Sequence, residues 1–239
     1  MLTMHSSDET QVVILAAGLG TRLGRPHPKP LTPLSGGESI MRRAVGLLRA
    51  EFGDLARITA VVGFKLDLVM EEMSDISFVY NEVYDATNTS KSLLKALRLS
   101  GRGGVLWLNG DVVFDPRVLP LIKRQIETGE NFVCVNTASV ADEEVKYTLD
   151  MAGNINALSK QVESALGEAV GINYICGQDK QALIEALTRV GDQDYFERGM
   201  ELALEELGVV FKPLDLSEFS VVEVDFDEDL RRANTFVSE

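Results

Sequence analysis

Leu15-Ala16-Ala17-Gly18-Leu19-Gly20-Thr21-Arg22-Leu23 closes a short apolar run, and Pro28-Lys29-Pro30-Leu31 follows a few residues later. Glycines placed directly after a strand let the backbone turn tightly and aim several N–H groups at one anion, as nucleotide phosphates require. Two common phosphate loops are excluded. A Walker A loop needs four residues between its glycines and then Lys-Ser or Lys-Thr, and in the dinucleotide pattern the third glycine would stand one position before Gly24. Arg22 offers a planar fork for phosphate oxygens, and Lys29 offers a compact charge. No acidic residue occurs between Ala16 and Leu34, where Arg22, Arg25, His27 and Lys29 gather. The competing reading is a plain strand-to-helix turn with solvated cations.

Two carboxylates invite a second chemistry. Leu106-Trp107-Leu108-Asn109-Gly110-Asp111 and Val221-Val222-Glu223-Val224-Asp225 are apolar stretches that each end on an aspartate. Ligands of open α/β sheets bind at the C-terminal strand edge. Two carboxylates facing a triphosphate there suit Mg²⁺, which takes oxygen ligands and shares them with phosphates. Either aspartate could instead cap the element that follows it. The polar stretch Asn81 to Ser92 is similarly open between a well-capped helix start and a binding segment.

The elements that must hold these residues alternate. Strands are expected at Gln11–Leu15, Ile58–Val62, Ile76–Tyr80 and Val105–Leu108, with helices over 39–52, 66–73, 90–99 and 117–126 between and after them. Such alternation implies βαβ units, and so an α/β fold with a Rossmann-like, mostly parallel sheet and helices on both faces. From about 131 to 176 strands follow one another without helices, which predicts a small antiparallel insertion. Helices over 180–189 and 197–207, strands at 209–213 and 221–224, and a final helix from Asp227 complete one domain spanning 11–239, after a flexible start at 1–10.

A formal charge of -14 in 239 residues argues against nucleic acid or anionic membrane as a partner. No apolar run approaches a membrane span, and the first residues lack a secretory pattern, so a cytoplasmic location is expected. Cys134 and Cys176 stand alone in apolar surroundings and suggest neither a disulfide nor a metal site. A homodimer is compatible with the sequence, which does not fix the oligomeric state.

With these motifs in view, the chain resembles the sugar-phosphate nucleotidyltransferase superfamily, and most of all its phosphocholine cytidylyltransferase-like, small-acceptor members. Their L-A-A-G-x-G-x-R-[LM] signature followed by P-K is matched in full. So are an L-x-G-D-V-V-F-like strand end at Leu108 to Phe114, an N-[NT]-x-x-S-L segment at Asn88 to Leu93, and a late E-[IV]-D at Glu223 to Asp225. The resemblance implies that Leu15, Ala16, Ala17, Gly18, Leu19, Gly20 and Thr21 hold the nucleotide, with Arg22 and Lys29 on the reacting phosphates. It also implies Asp111 and Asp225 as Mg²⁺ ligands, and Asn81, Asn88, Thr89 and Ser92 along the nucleotide pocket. Lys146, Glu168, Lys160 and Tyr195 would face the acceptor. The family's aromatic residue before E-[IV]-D is Val222 here, so choline phosphate, inositol phosphate, a sugar phosphate and a phosphonate all stay open as acceptor.

The implied reaction joins an NTP, CTP by resemblance, to a small phosphorylated acceptor with release of pyrophosphate. A phosphate or phosphonate oxygen is already ionised near neutral pH, so no general base is required. That agrees with a chain holding only His5 and His27. The alternatives are a sugar-1-phosphate nucleotidyltransferase using another NTP, a glycosyltransferase of related architecture, and a non-catalytic nucleotide-binding subunit.

Overall fold

Residues 10–20, 22–53, 56–138 and 144–237 are described by a computed structural model. The first strand, β1 (Gln11–Ala16), is buried along its whole length. It pairs in parallel with both β2 (Arg57–Val62) and β4 (Val105–Asn109), and β2 pairs in parallel with β3 (Ser77–Tyr80). Central parallel strands are covered on both faces and therefore read as continuous apolar runs, as Val12 to Leu15 does. Val13 and Leu15 face a core with α3 (Thr89–Leu99), α5 (Lys180–Arg189) and α6 (Phe196–Leu207). Val12, Ile14 and Ala16 face the opposite core, with α1 (Ile40–Phe52), α2 (Leu66–Glu72) and α4 (Val118–Glu127). This is the doubly covered α/β sheet expected from the sequence.

The antiparallel segment is more deeply integrated than its sequence suggests. β9 (Gly167–Ile175) lies inside the main sheet, antiparallel to β4 on one side and to β6 (Phe132–Asn136) on the other. β10 (Lys212–Asp215) then runs parallel to β6, giving the order β10-β6-β9-β4-β1-β2-β3. Almost every residue of β9 is buried, so it needs neighbours on both edges and cover on both faces. Only the hairpin of β7 (Lys146–Leu149) and β8 (Ile155–Ser159) branches from this path, tied on by β7 pairing with β9. β10 begins three residues later than predicted, because Val209 and Phe211 are buried ahead of it in the core rather than in the ladder.

A two-stranded antiparallel ribbon completes the fold. β5 (Val112–Phe114) pairs with β11 (Val221–Glu223), with Val113 opposite Val222. Beneath it, Leu23, Leu34, Ile40, Val113, Val222, Val224 and Ala233 form a third apolar cluster. This cluster fastens the segment after the glycine loop to α7 (Asp227–Val237), so the beginning and end of the described chain share one small core. Among the described residues no helix is long and apolar enough to cross a membrane. Of the expected flexible start at 1–10, residues 1–9 lie outside them.

Candidate active site

β1 and β4 deliver the two motifs to one edge because they are neighbours in parallel register, with Leu15 opposite Asn109. The Gly110 N–H donates to the Leu15 carbonyl at 2.9 Å. A Cβ at Gly110 would stand 2.7 Å from that oxygen and 2.8 Å from Pro30 Cγ, so only glycine permits this approach. Beyond β1 the chain turns through Gly18 to Gly20, and Gly20 adopts a left-handed φ of +61°. The N–H groups of Gly18, Leu19 and Gly20 enter no hydrogen bond among the described residues, which leaves them available to an anion.

Lys29 opens a short 3-10 turn, Lys29–Leu31, and returns to the same edge. Its Nζ donates to Asp111 Oδ2 at 2.6 Å and also to Asp225 Oδ1. Arg22 Nη1 donates to Asp225 Oδ2 at 2.5 Å. Burial alone would lower the Lys29 ammonium's pKa, but Asp111 and Asp225 together outweigh it and hold the pKa above the ordinary lysine value. Burial alone would raise the Asp225 carboxyl; the hydrogen bond and charge of Lys29, with Arg22, outweigh it and keep it below the ordinary aspartate value.

The capping alternative is resolved by geometry. Asp229 Oδ2 accepts from the N–H groups of Asp225 at 3.1 Å and Phe226 at 2.8 Å, so the cap at α7 belongs to Asp229. Asp225 is thereby free to turn towards Lys29. Asp111 caps no helix either: its carbonyl accepts from Val224 N–H at 3.0 Å, joining the two aspartate-bearing segments directly. Its Oδ1 is buried without a partner among the described residues. Asp111 and Asp225 are thus oxygen donors that could share a divalent cation.

These residues line a cavity of about 420 Å³. Of the sequence-predicted site, Leu15, Ala16, Gly18, Leu19, Gly20, Arg22, Lys29, Asn88, Thr89, Asp111, Lys160, Tyr195 and Asp225 border it. Thr21 lies outside the described residues. Asn88 both lines the cavity and caps α3, its Oδ1 accepting from Thr89 N–H at 2.8 Å. Ala17 lies behind the loop, its carbonyl accepting from Phe64 N–H at 3.1 Å. Asn81 and Ser92 are buried beneath the cavity rather than on its wall, where Asn81 Nδ2 donates to Thr87 Oγ1 and Ser92 Oγ, each at 3.1 Å. Lys146 and Glu168 stand opposite each other on β7 and β9, away from the cavity lining.

Further residues line the cavity, of which Glu144 and Glu197 had no signal in the sequence. Asn109, Glu144, Glu197 and Glu223 all border the cavity. Burial first, then the charges of Asp111, Glu144, Glu197 and Asp225, push the Glu223 carboxyl well above the ordinary glutamate value. Asn109 Nδ2 donates to Glu223 Oε1 at 3.3 Å. Asp85, Asp111, Glu144, Glu197, Glu223 and Asp225 bring six carboxyl groups to the lining and Arg22, Lys29 and Lys160 three cations; burial and mutual repulsion raise the pKa of Glu144, Glu197 and Glu223 and so relieve part of that imbalance.

The fold is of the nucleotide-diphospho-sugar transferase type, with a glycine loop opposite paired carboxylates. The MobA-like NTP transferase domain matches residues 12–173, and the chain belongs to that family. It is 29% identical over 247 aligned positions to the CMP-5'-(3-aminopropyl)phosphonate synthase of Streptomyces rubellomurinus, an alignment covering 94% of this chain and 38% of that protein. The chain therefore spans little more than a third of that relative's length. The CTP:phosphocholine cytidylyltransferase of Streptococcus pneumoniae superposes with a TM-score of 0.73 at 16% identity, over 96% of this chain and 99% of that one. The inositol-1-phosphate CTP transferase of T. maritima gives a TM-score of 0.74 at 14% identity, over 97% of each chain. These two likenesses concern the fold.

Proposed function

We propose that the chain transfers a nucleoside monophosphate from an NTP, CTP in particular, to a small acceptor bearing a phosphate or phosphonate, and releases pyrophosphate. The observation that carries this reading is the Lys29 ammonium held between Asp111 and Asp225, with Arg22 on Asp225, beside a glycine loop whose amides are free. CTP and a phosphonate acceptor draw further support from the Streptomyces relative, whose name is that of a CMP-phosphonate synthase.

Mg²⁺ fits the donor set. Asp111 Oδ1 is a buried, unpartnered carboxylate oxygen, and oxygen is the ligand this ion prefers. Among the described residues no group of three or more His, Cys, Asp or Glu is arranged around a metal. Two carboxylates suffice where substrate phosphates supply other oxygens. When bound by Asp111 and Asp225, the ion would neutralise charge on the triphosphate.

The chain's own groups do the rest. The amides of Gly18 to Gly20 and the Arg22 fork hold the triphosphate, and Lys29, held in place by the aspartates, meets the charge that develops on the reacting phosphates. An acceptor oxygen, already ionised, attacks the α-phosphorus in line. The new O–P bond forms as the bond to the β-phosphate oxygen breaks, and pyrophosphate departs with that electron pair. No proton need move, so positioning and charge neutralisation supply the catalysis. Measuring pyrophosphate release for four NTPs against a panel of phosphate and phosphonate acceptors tests the assignment. CTP with one acceptor class is expected to dominate, and no release from any pair would reject it.

A further inference from the structure

Glu197 is a buried carboxylate that the transfer reaction does not use. It lies in the first turn of α6, is 8% exposed, borders the cavity, and keeps Oε2 without a hydrogen-bond partner among the described residues. Its position is fixed by the residue before it, since Phe196 packs edge-on against the fully buried Trp107 at 5.8 Å. One turn further along the same helix, Glu201 accepts from Leu158 N–H at 3.2 Å. A carboxylate retained for the fold finds such a donor from elsewhere; the Glu197 carboxyl receives only its own backbone N–H, and Oε2 has no partner among the described residues.

The surroundings specify what is missing. Burial pushes the Glu197 carboxyl up to about 7, with Glu201 and Glu144 adding to the effect and Lys160 opposing it. The Lys160 ammonium lies 5.2 Å from the centre of the Tyr195 ring, a cation–π arrangement that leaves Oε2 unsatisfied. A buried carboxylate in its ionised form needs a charged partner to offset its desolvation, so a donor that also carries positive charge is favoured over a neutral hydroxyl. A quaternary ammonium has no N–H to give and is best held by aromatic faces. A primary ammonium supplies both the charge and the donor.

We propose that Glu197 binds a primary ammonium on the acceptor, which makes the acceptor a zwitterion with an amine at one end and a phosphate or phosphonate at the other. Lys29 meets the anionic end beside the reacting phosphates, and Glu197 fixes the cationic end at the cavity wall. This inference rests on the nucleotidyltransferase reading, and its test separates the two.

Pyrophosphate release with CTP would be compared for 3-aminopropylphosphonate, propylphosphonate, the trimethylammonio analogue and inositol phosphate. The primary amine is expected to exceed propylphosphonate in kcat/KM by roughly 10- to 100-fold, the scale of a charge-assisted hydrogen bond. Glu197→Gln, which keeps the shape, is expected to bring that ratio close to one, mainly through KM. Equal rates with and without the amine would overturn the proposal while the transferase reading stands, as would preference for the trimethyl analogue or inositol phosphate. A preference that survives Glu197→Gln would overturn it too. Should no acceptor release pyrophosphate, the transferase reading falls and calorimetry decides the amine site. Tighter binding of 3-aminopropylphosphonate than propylphosphonate, abolished by Glu197→Gln, supports it, and equal binding removes it.

Discussion

Arg22 Nη1 lies 2.5 Å from Asp225 Oδ2, so the loop after the first strand is joined to the end of the last one across nearly the whole chain. Arg22 is 42% exposed, and a pair this wet adds little to stability. What it does is hold the cationic and carboxylate halves of the site in register before any ligand arrives.

Lys29 stands at the centre of that arrangement. Lys29→Ala is expected to lower turnover by on the order of 10² to 10³, the scale for losing one preorganised charge donor, with far-UV circular dichroism unchanged. Pyrophosphate release near the wild-type rate would remove Lys29 from the reaction.

Asp111→Asn and Asp225→Asn should each raise the Mg²⁺ concentration needed for half-maximal rate, because each takes one charge from the proposed ligand pair. A magnesium titration of both variants checks this. Superimposable curves for variant and wild type would show that neither carboxylate meets the ion.

The position of Gly20 links loop geometry to Lys29. Its φ of +61° makes alanine cost roughly 1–2 kcal/mol, and a Cβ there would stand 3.1 Å from Lys29 Cβ. Gly24 has a similar φ of +62° with open space around it. Both alanine variants are therefore expected to lower the melting temperature by similar amounts, while only Gly20→Ala slows turnover. Equal activity losses would break the link.

Stability should carry the mark of Glu197. Its folded carboxyl, pushed up to about 7 by burial, sits above its value in the unfolded chain. Between those two values the folded state holds the proton and the unfolded state has lost it, so stability declines as pH rises through the window. Above the folded value the cost is complete, on the order of 3 kcal/mol at about 1.4 kcal/mol per pH unit. Glu197→Gln is accordingly expected to be more stable than wild type at pH 8 and not at pH 4.5. Urea midpoints at the two pH values measure it, and an equal change at both would exclude titration as the cause.

The parts of the site that the sequence reveals are those ending apolar strands. Leu15 to Gly20, Asp111 and Asp225 stand out because a buried run seldom stops on a charge or a pair of glycines unless a ligand or a tight turn requires it. Glu197 is hidden for the opposite reason: an acid in the first turn of a helix looks like ordinary dipole compensation. Asn81 and Ser92 belong to a polar helix start that is used inward, for structure, as readily as outward. In the fold, alternation fixes the parallel half, but an apolar run such as β9 does not encode its direction. Its central place between β4 and β6 follows only from the need to cover both faces.

The ribbon of β5 and β11 has a bearing on biosynthesis. Asp225 reaches Lys29 only after β11 has docked, so a nascent or partly assembled molecule has the loop and no second carboxylate. On the reading proposed above, such a molecule would lack the carboxylate pair, so pyrophosphate release would depend on the ribbon being closed.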